Sequence, residues 1–134
     1  MAFNAMYGGE TDAGERSRVM SCVRRNMSER AAVRVLRQST KSVDQILAIP
    51  PANLLLNRWD PKFRAASQRC AALYRNKAET AVGRLAGVAG VLYQIRCNLL
   101  HGSKDPRNER DRMLVKESLV VLNALLPELE AALV

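Results

Sequence analysis

Aromatic residues make up only 4% of this 134-residue chain, and there are three cysteines and a single histidine. Each scarcity excludes something. So few aromatics beside 48% hydrophobic residues argue against a sandwich or barrel and for helices packed through Leu, Val and Ala. Cys22, Cys70 and Cys97 are scattered, odd in number and form no CxxC pair, so neither a disulfide framework nor a zinc knuckle is signalled. No stretch approaches the roughly 18 to 20 apolar residues needed to cross a bilayer, and the start lacks a basic region followed by an apolar run. The expected setting is the reducing cytoplasm, with no membrane partner, no metal and no cofactor.

Acidic residues are also in deficit, 13 against 21 Lys and Arg, for a net charge of +8. That balance favours polyanionic partners, RNA among them. The length suits one domain with one core, so residues 1–134 are expected to form a single helical unit.

The periodicity divides the chain. Met1 to Tyr7 reads as the tail of a helix stopped by Gly8-Gly9, and its abrupt start suggests a shortened first helix. A second helix covers about Ala13 to Met27, with Val19, Met20, Val23 and Met27 inward. Ser28 reads as an N-cap for Glu29 to Gln38, with Ala32, Val33 and Leu36 inward. Lys41 to Ile49 continues until Pro50-Pro51 ends it. Pro50 to Trp59 is the main irregular connection. Asp60-Pro61 predicts a helix start, with that helix reaching about Asn76.

Beyond a break near Lys77 to Glu79, the stripe Leu85, Val88, Leu92, Ile95, Leu99 predicts a central core helix that stops at Gly102. Gly83, Gly87 and Gly90 each lower its intrinsic helicity by about 1 kcal/mol relative to alanine, which points to close helix packing. After a polar loop, Asn108 to Leu133 predicts a last helix burying Val115, Leu119, Leu122, Leu126 and Leu129, bent or divided at Pro127. The expected fold class is all-α, an up-and-down bundle of five to six helices.

The candidate chemistry lies at the end of the central helix, where Arg96 and the only histidine, His101, stand five residues apart. A histidine can give or take a proton near neutral pH, and an arginine offers a planar fork of donors suited to phosphate. Five residues is about 500 degrees of helical rotation, so the two share a site only if His101 reaches it from the helix terminus. The structural alternative has Arg96 paired with a carboxylate and His101 bonded to the helix end. Cys97 and His101, four apart, raise a thiol nucleophile or a metal pair, but two ligands fall short of a zinc site.

The run Ile95-Arg96-Cys97-Asn98-Leu99-Leu100-His101-Gly102, a polar loop and a Leu-rich helix resemble the HEPN domain family, whose RxxxxH spacing Arg96 and His101 meet. Ala2-Phe3-Asn4-Ala5-Met6-Tyr7-Gly8 is similar to a segment in an early helix of some members. The resemblance implies a HEPN-like bundle that forms a homodimer with two RxxxxH motifs in one cleft. In many members it implies a metal-independent endoribonuclease of toxin-antitoxin or antiphage systems, with an antitoxin or regulatory protein as a further partner.

On this reading Arg96 and His101 are the catalytic pair and Asn98 a candidate helper. Cys97, rather than a strongly polar residue, follows Arg96, which leaves a local backbone hydrogen bond as the other use of Asn98. Ser103 stands where one subgroup carries a regulatory tyrosine, which disfavours a nucleotidyltransferase antitoxin. Lys104, Arg107, Arg110 and Arg112 are candidate RNA-binding residues, although Asp105, Glu109 and Asp111 interrupt them. Tyr7, Trp59 and Tyr93 could stack on bases, but isolated aromatics in a small helical protein are commonly core. The alternative functions are a non-catalytic RNA- or protein-binding module and a purely structural helical adaptor.

Overall fold

The computed structural model describes residues 12–100 and 107–133, with side chains from residue 14 onward. Among the described residues five helices follow one another: α1 (Asp12–Asn26), α2 (Glu29–Leu47), α3 (Ala65–Arg75), α4 (Ala81–Leu100) and α5 (Glu109–Leu133). No strand occurs among the described residues, and the chain is an all-helical bundle. The segment around Phe3, the stop at Gly102, and the candidate residues His101 and Lys104 lie outside the described residues.

Helix α4 is central and packs against the other four. From Leu85 to Ile95 its residues are all buried, as a helix enclosed on every side requires. Close approach is achieved with glycine. A Cβ on Gly87 would stand 2.6 Å from the carbonyl oxygen of Cys70 in α3, and one on Gly90 would stand 2.6 Å from the Cys70 Sγ. Both glycines therefore serve the close packing that the sequence suggests. Gly83 differs, because the group its Cβ would meet is the side chain of Glu79.

Two helix starts are capped differently. Ser28 Oγ accepts from the Ala31 N–H at 3.1 Å, the N-cap expected for α2. The Glu29 carboxylate beside it reaches across the bundle and accepts from the N–H groups of Ala81 and Val82, at 2.7 and 3.0 Å. An acidic side chain of α2 thus satisfies two open donors at the start of α4.

The boundaries differ from the sequence expectation in two places, and one residue faces the other way. Helix α2 runs unbroken through Ser39 and Thr40, whose hydroxyls donate to the carbonyls of Val35 and Leu36 one turn back, so these hydroxyls find partners inside the helix rather than ending it. Val33 is 40% exposed, while Ala31, Ala32, Val35 and Leu36 face the core. Asp60-Pro61 opens a turn rather than α3: Phe63 N–H donates back to the Asp60 carbonyl, and the Phe63 carbonyl accepts from Asn53 N–H at 2.7 Å. Regular helix begins only at Ala65.

In α5 the buried positions are Leu114, Ser118, Val121, Leu125 and Leu129, one residue out of step with most of the expected stripe. Leu119 and Leu126 are 54% and 40% exposed. Pro127 lies inside this helix, which continues to Leu133.

Candidate functional site at the end of the central helix

Arg96 sits in the penultimate turn of α4, between buried Ile95 and Cys97, and is itself half-buried. It lines an apolar groove of about 400 Å³ with Leu92 of α4, Val19 and Val23 of α1, and Leu125 and Leu129 of α5. Leu99, Leu100 and Leu126 also line it and are more than a third exposed.

A cluster of polar groups from α1 and α4 surrounds Tyr93. The guanidinium carbons of Arg96 and Arg16 lie 5.9 and 5.7 Å from the centroid of its ring, within the range of a cation–π contact. The phenol donates to the Glu15 carboxylate. Burial, hydrogen bonding to Cys97 and Glu15, and the negative charge of the Glu15 carboxylate push its pKa well above the ordinary tyrosine value. Tyr93 is therefore a neutral donor with a cation-bearing face. Its single aromatic ring offered no sign of this role in the sequence, and Glu15 and Arg16 stand nearly 80 positions upstream.

Asn98 points elsewhere. It is 2% exposed. Its Nδ2 donates to the Ala52 carbonyl at 2.8 Å, and its Oδ1 accepts from Leu54 N–H at 3.2 Å and from Gln94 Nε2 at 3.1 Å. Gln94 in turn accepts from Arg16 Nη2 at 2.5 Å. A chain of side-chain hydrogen bonds thus links α1, the end of α4 and the connection after α2. Asn98 is an anchor for that connection, so the candidate helper is engaged with backbone rather than turned toward the groove of Arg96.

The basic residues divide as well. Arg107 and Arg112 are exposed. Arg110 Nη2 donates to the Ile49 carbonyl at 2.6 Å, and burial, with Arg64 nearby, lowers its pKa from the usual arginine value. Arg110 therefore ties the start of α5 to the end of α2. Asn108, not an acidic residue, caps α5, accepting from the N–H groups of Arg110 and Asp111.

Cys70 and Cys97 are buried, and burial raises the Cys70 thiol above its ordinary range, the behaviour of an inert thiol. Among the described residues no group of three His, Cys, Asp or Glu is placed to hold a metal ion, and no helix is long and apolar enough to cross a membrane. Trp59, by contrast, is 79% exposed, contrary to the core position that isolated aromatics commonly take. No protein family, curated protein or solved structure matches the chain.

Proposed function

We propose that this chain is a metal-independent endoribonuclease, acting as a toxin or antiphage effector, with Arg96 and His101 as its catalytic pair. The observation that carries the reading is the setting of Arg96, a half-buried guanidinium at the end of the central helix, against the Tyr93 ring and in an apolar groove. A fixed cation in a low-dielectric wall stabilises developing phosphate charge more strongly than one in water.

In this mechanism Arg96 binds the scissile phosphate. His101 of one copy removes the ribose 2'-hydroxyl proton as that oxygen attacks phosphorus, and His101 of a second copy protonates the departing 5'-oxygen. The products are a 2',3'-cyclic phosphate and a 5'-hydroxyl. A homodimer with an isologous interface supplies both histidines. Asn98 acts as a positioning residue that holds the connection against α4. Lys104 and the exposed Arg107 and Arg112 steer the RNA backbone, with an antitoxin or regulatory protein as a further partner.

The second reading is a non-catalytic RNA- or protein-binding module, favoured by the full engagement of Asn98 in anchoring a loop. Incubation of a structured RNA in EDTA, with the native chain, Arg96→Ala and His101→Ala at matched dimer content, separates the two. The nuclease predicts cleavage by the native chain and a loss of about a hundredfold or more in each variant. RNA left intact by a folded native dimer transfers the assignment to the binding module.

A further inference from the structure

The connection between α2 and α3 is built rather than loose. Asn53 N–H donates to the Phe63 carbonyl at 2.7 Å and closes an eleven-residue loop, within which Leu56, Asp60 and Phe63 each donate back to the carbonyl three residues before. The feet of the loop are held by Asn98, which bonds Ala52 and Leu54, and by Arg64 Nε, which donates to the Pro50 carbonyl at 3.1 Å. Its mount is therefore the end of α4 that carries Arg96.

At its tip stands Trp59, 79% exposed, with the Arg58 guanidinium carbon 4.8 Å from the ring centroid. Arg64 stacks on Phe63 in the same way, at 5.3 Å. An indole this exposed leaves a large apolar face in water, which the fold does not use. Arg58, Lys62 and Arg64 outnumber the single acidic residue Asp60 along this stretch, and the Asp60 carboxylate accepts from the Lys62 backbone N–H at 2.8 Å. An aromatic ring beside cations on a fixed loop is the arrangement with which single-stranded nucleic acid is held, by base stacking and phosphate neutralisation.

We infer that Trp59 is a base-stacking platform for single-stranded RNA, with Arg58 and Lys62 taking the flanking phosphates. The platform feeds RNA to the end of α4 and in that respect rests on the ribonuclease reading, whereas binding itself does not require cleavage. Commitment to nucleic acid over a membrane surface follows from the cations at the ring, with the Arg58 guanidinium carbon 4.8 Å from the indole centroid and Lys62 exposed nearby, while the exposed Leu54 and Leu55 lie toward the start of the loop.

Trp59 is the only tryptophan in the chain, so its fluorescence reports directly on this site. The 134-residue chain is titrated with a single-stranded oligonucleotide whose every 2'-hydroxyl is methylated, which removes the nucleophile and separates binding from cleavage. Saturable quenching is expected. Trp59→Ala should weaken binding of the labelled oligonucleotide, read by anisotropy, by about tenfold or more, while Trp59→Phe retains most of it. Replacing both Arg58 and Lys62 with Gln should lower the slope of log affinity against log salt by about 1 to 2.

Binding with no change in Trp59 emission, or equal affinity for Trp59→Ala, overturns the platform. So does quenching by anionic phospholipid vesicles but not by the oligonucleotide, and so does indifference to base, with inorganic polyphosphate quenching as well as RNA. Quenching by the oligonucleotide without cleavage of unmodified RNA leaves the platform standing and removes the nuclease. Cleavage that survives in Trp59→Ala with unchanged binding removes the platform alone.

Discussion

The Asn98 side chain donates to the Ala52 carbonyl across 46 residues of sequence, at 2.8 Å and with both groups buried. That bond joins the central helix to the connection that carries Trp59. Asn98→Ala would leave the Ala52 carbonyl, the Leu54 N–H and the Gln94 amide each short of a partner. An unsatisfied buried polar group costs about 1–3 kcal/mol, and the expected loss on urea unfolding is therefore about 2–3 kcal/mol in total, since Leu54 is partly exposed and regains water. Hydrogen exchange should show the Leu54 amide losing protection before the amides of α4. Unchanged stability would deny Asn98 its anchoring role.

The glycines of α4 give a paired prediction. Gly87→Ala gains about 1 kcal/mol of helix propensity but drives a methyl against the Cys70 backbone, which cannot rotate away. Overpacking of this kind costs about 1–3 kcal/mol, so α3 must shift and the net change is destabilising. Gly83→Ala meets only the movable Glu79 side chain and should be neutral or stabilising by up to about 1 kcal/mol. Equilibrium denaturation of the two variants side by side tests the sign of each.

Tyr93 gives a pH dependence. Its folded-state pKa is raised, chiefly by burial, so the native state holds the phenol proton more tightly than the unfolded chain. The linked stability is fully present below the unfolded tyrosine value near 10 and is lost as the pH climbs above it. Tyr93→Phe, which removes the ionisation, should flatten the alkaline limb of the stability–pH curve. In the native chain, phenolate absorbance from Tyr93 should appear together with unfolding. A smooth phenolate titration of all tyrosines near pH 10, with the fold intact, would contradict the buried, hydrogen-bonded phenol.

Much of the bundle was legible because the period of burial is local. Leu85, Val88, Leu92 and Ile95 are buried as their spacing requires, and Ser28 caps the helix it precedes. Leu99 belongs to the same stripe but is 43% exposed, because it lines the open groove beside Leu100 and Leu126. The register of α5 was hidden for a different reason. Its sequence carries apolar residues on two faces, and the buried face includes Ser118 while the other bears Leu119, Leu122 and Leu126. Hydrophobic spacing alone then favours the wrong face. Asn98 and Glu29 were illegible as anchors because their distant partners are backbone groups 44 to 53 residues away, and no side-chain pattern marks such a partner.

The same outward face of α5 tests the dimer. Leu126 lies on the groove rim with Leu99 and Leu100, and all three expose 40% or more of their surface. A contiguous apolar rim of this kind is the surface that a second copy would cover. Leu126→Glu places a charge there without opening the core, so monomer stability should change by less than about 1 kcal/mol. Sedimentation velocity should show the native chain passing from monomer to dimer with concentration while the variant stays monomeric. Specific cleavage activity should rise with the native dimer fraction and be lost in the variant, because one copy supplies only one His101. A monomeric Leu126→Glu that cleaves RNA at the native rate would dismiss the two-histidine mechanism, and a variant that still dimerises would place the interface on another face.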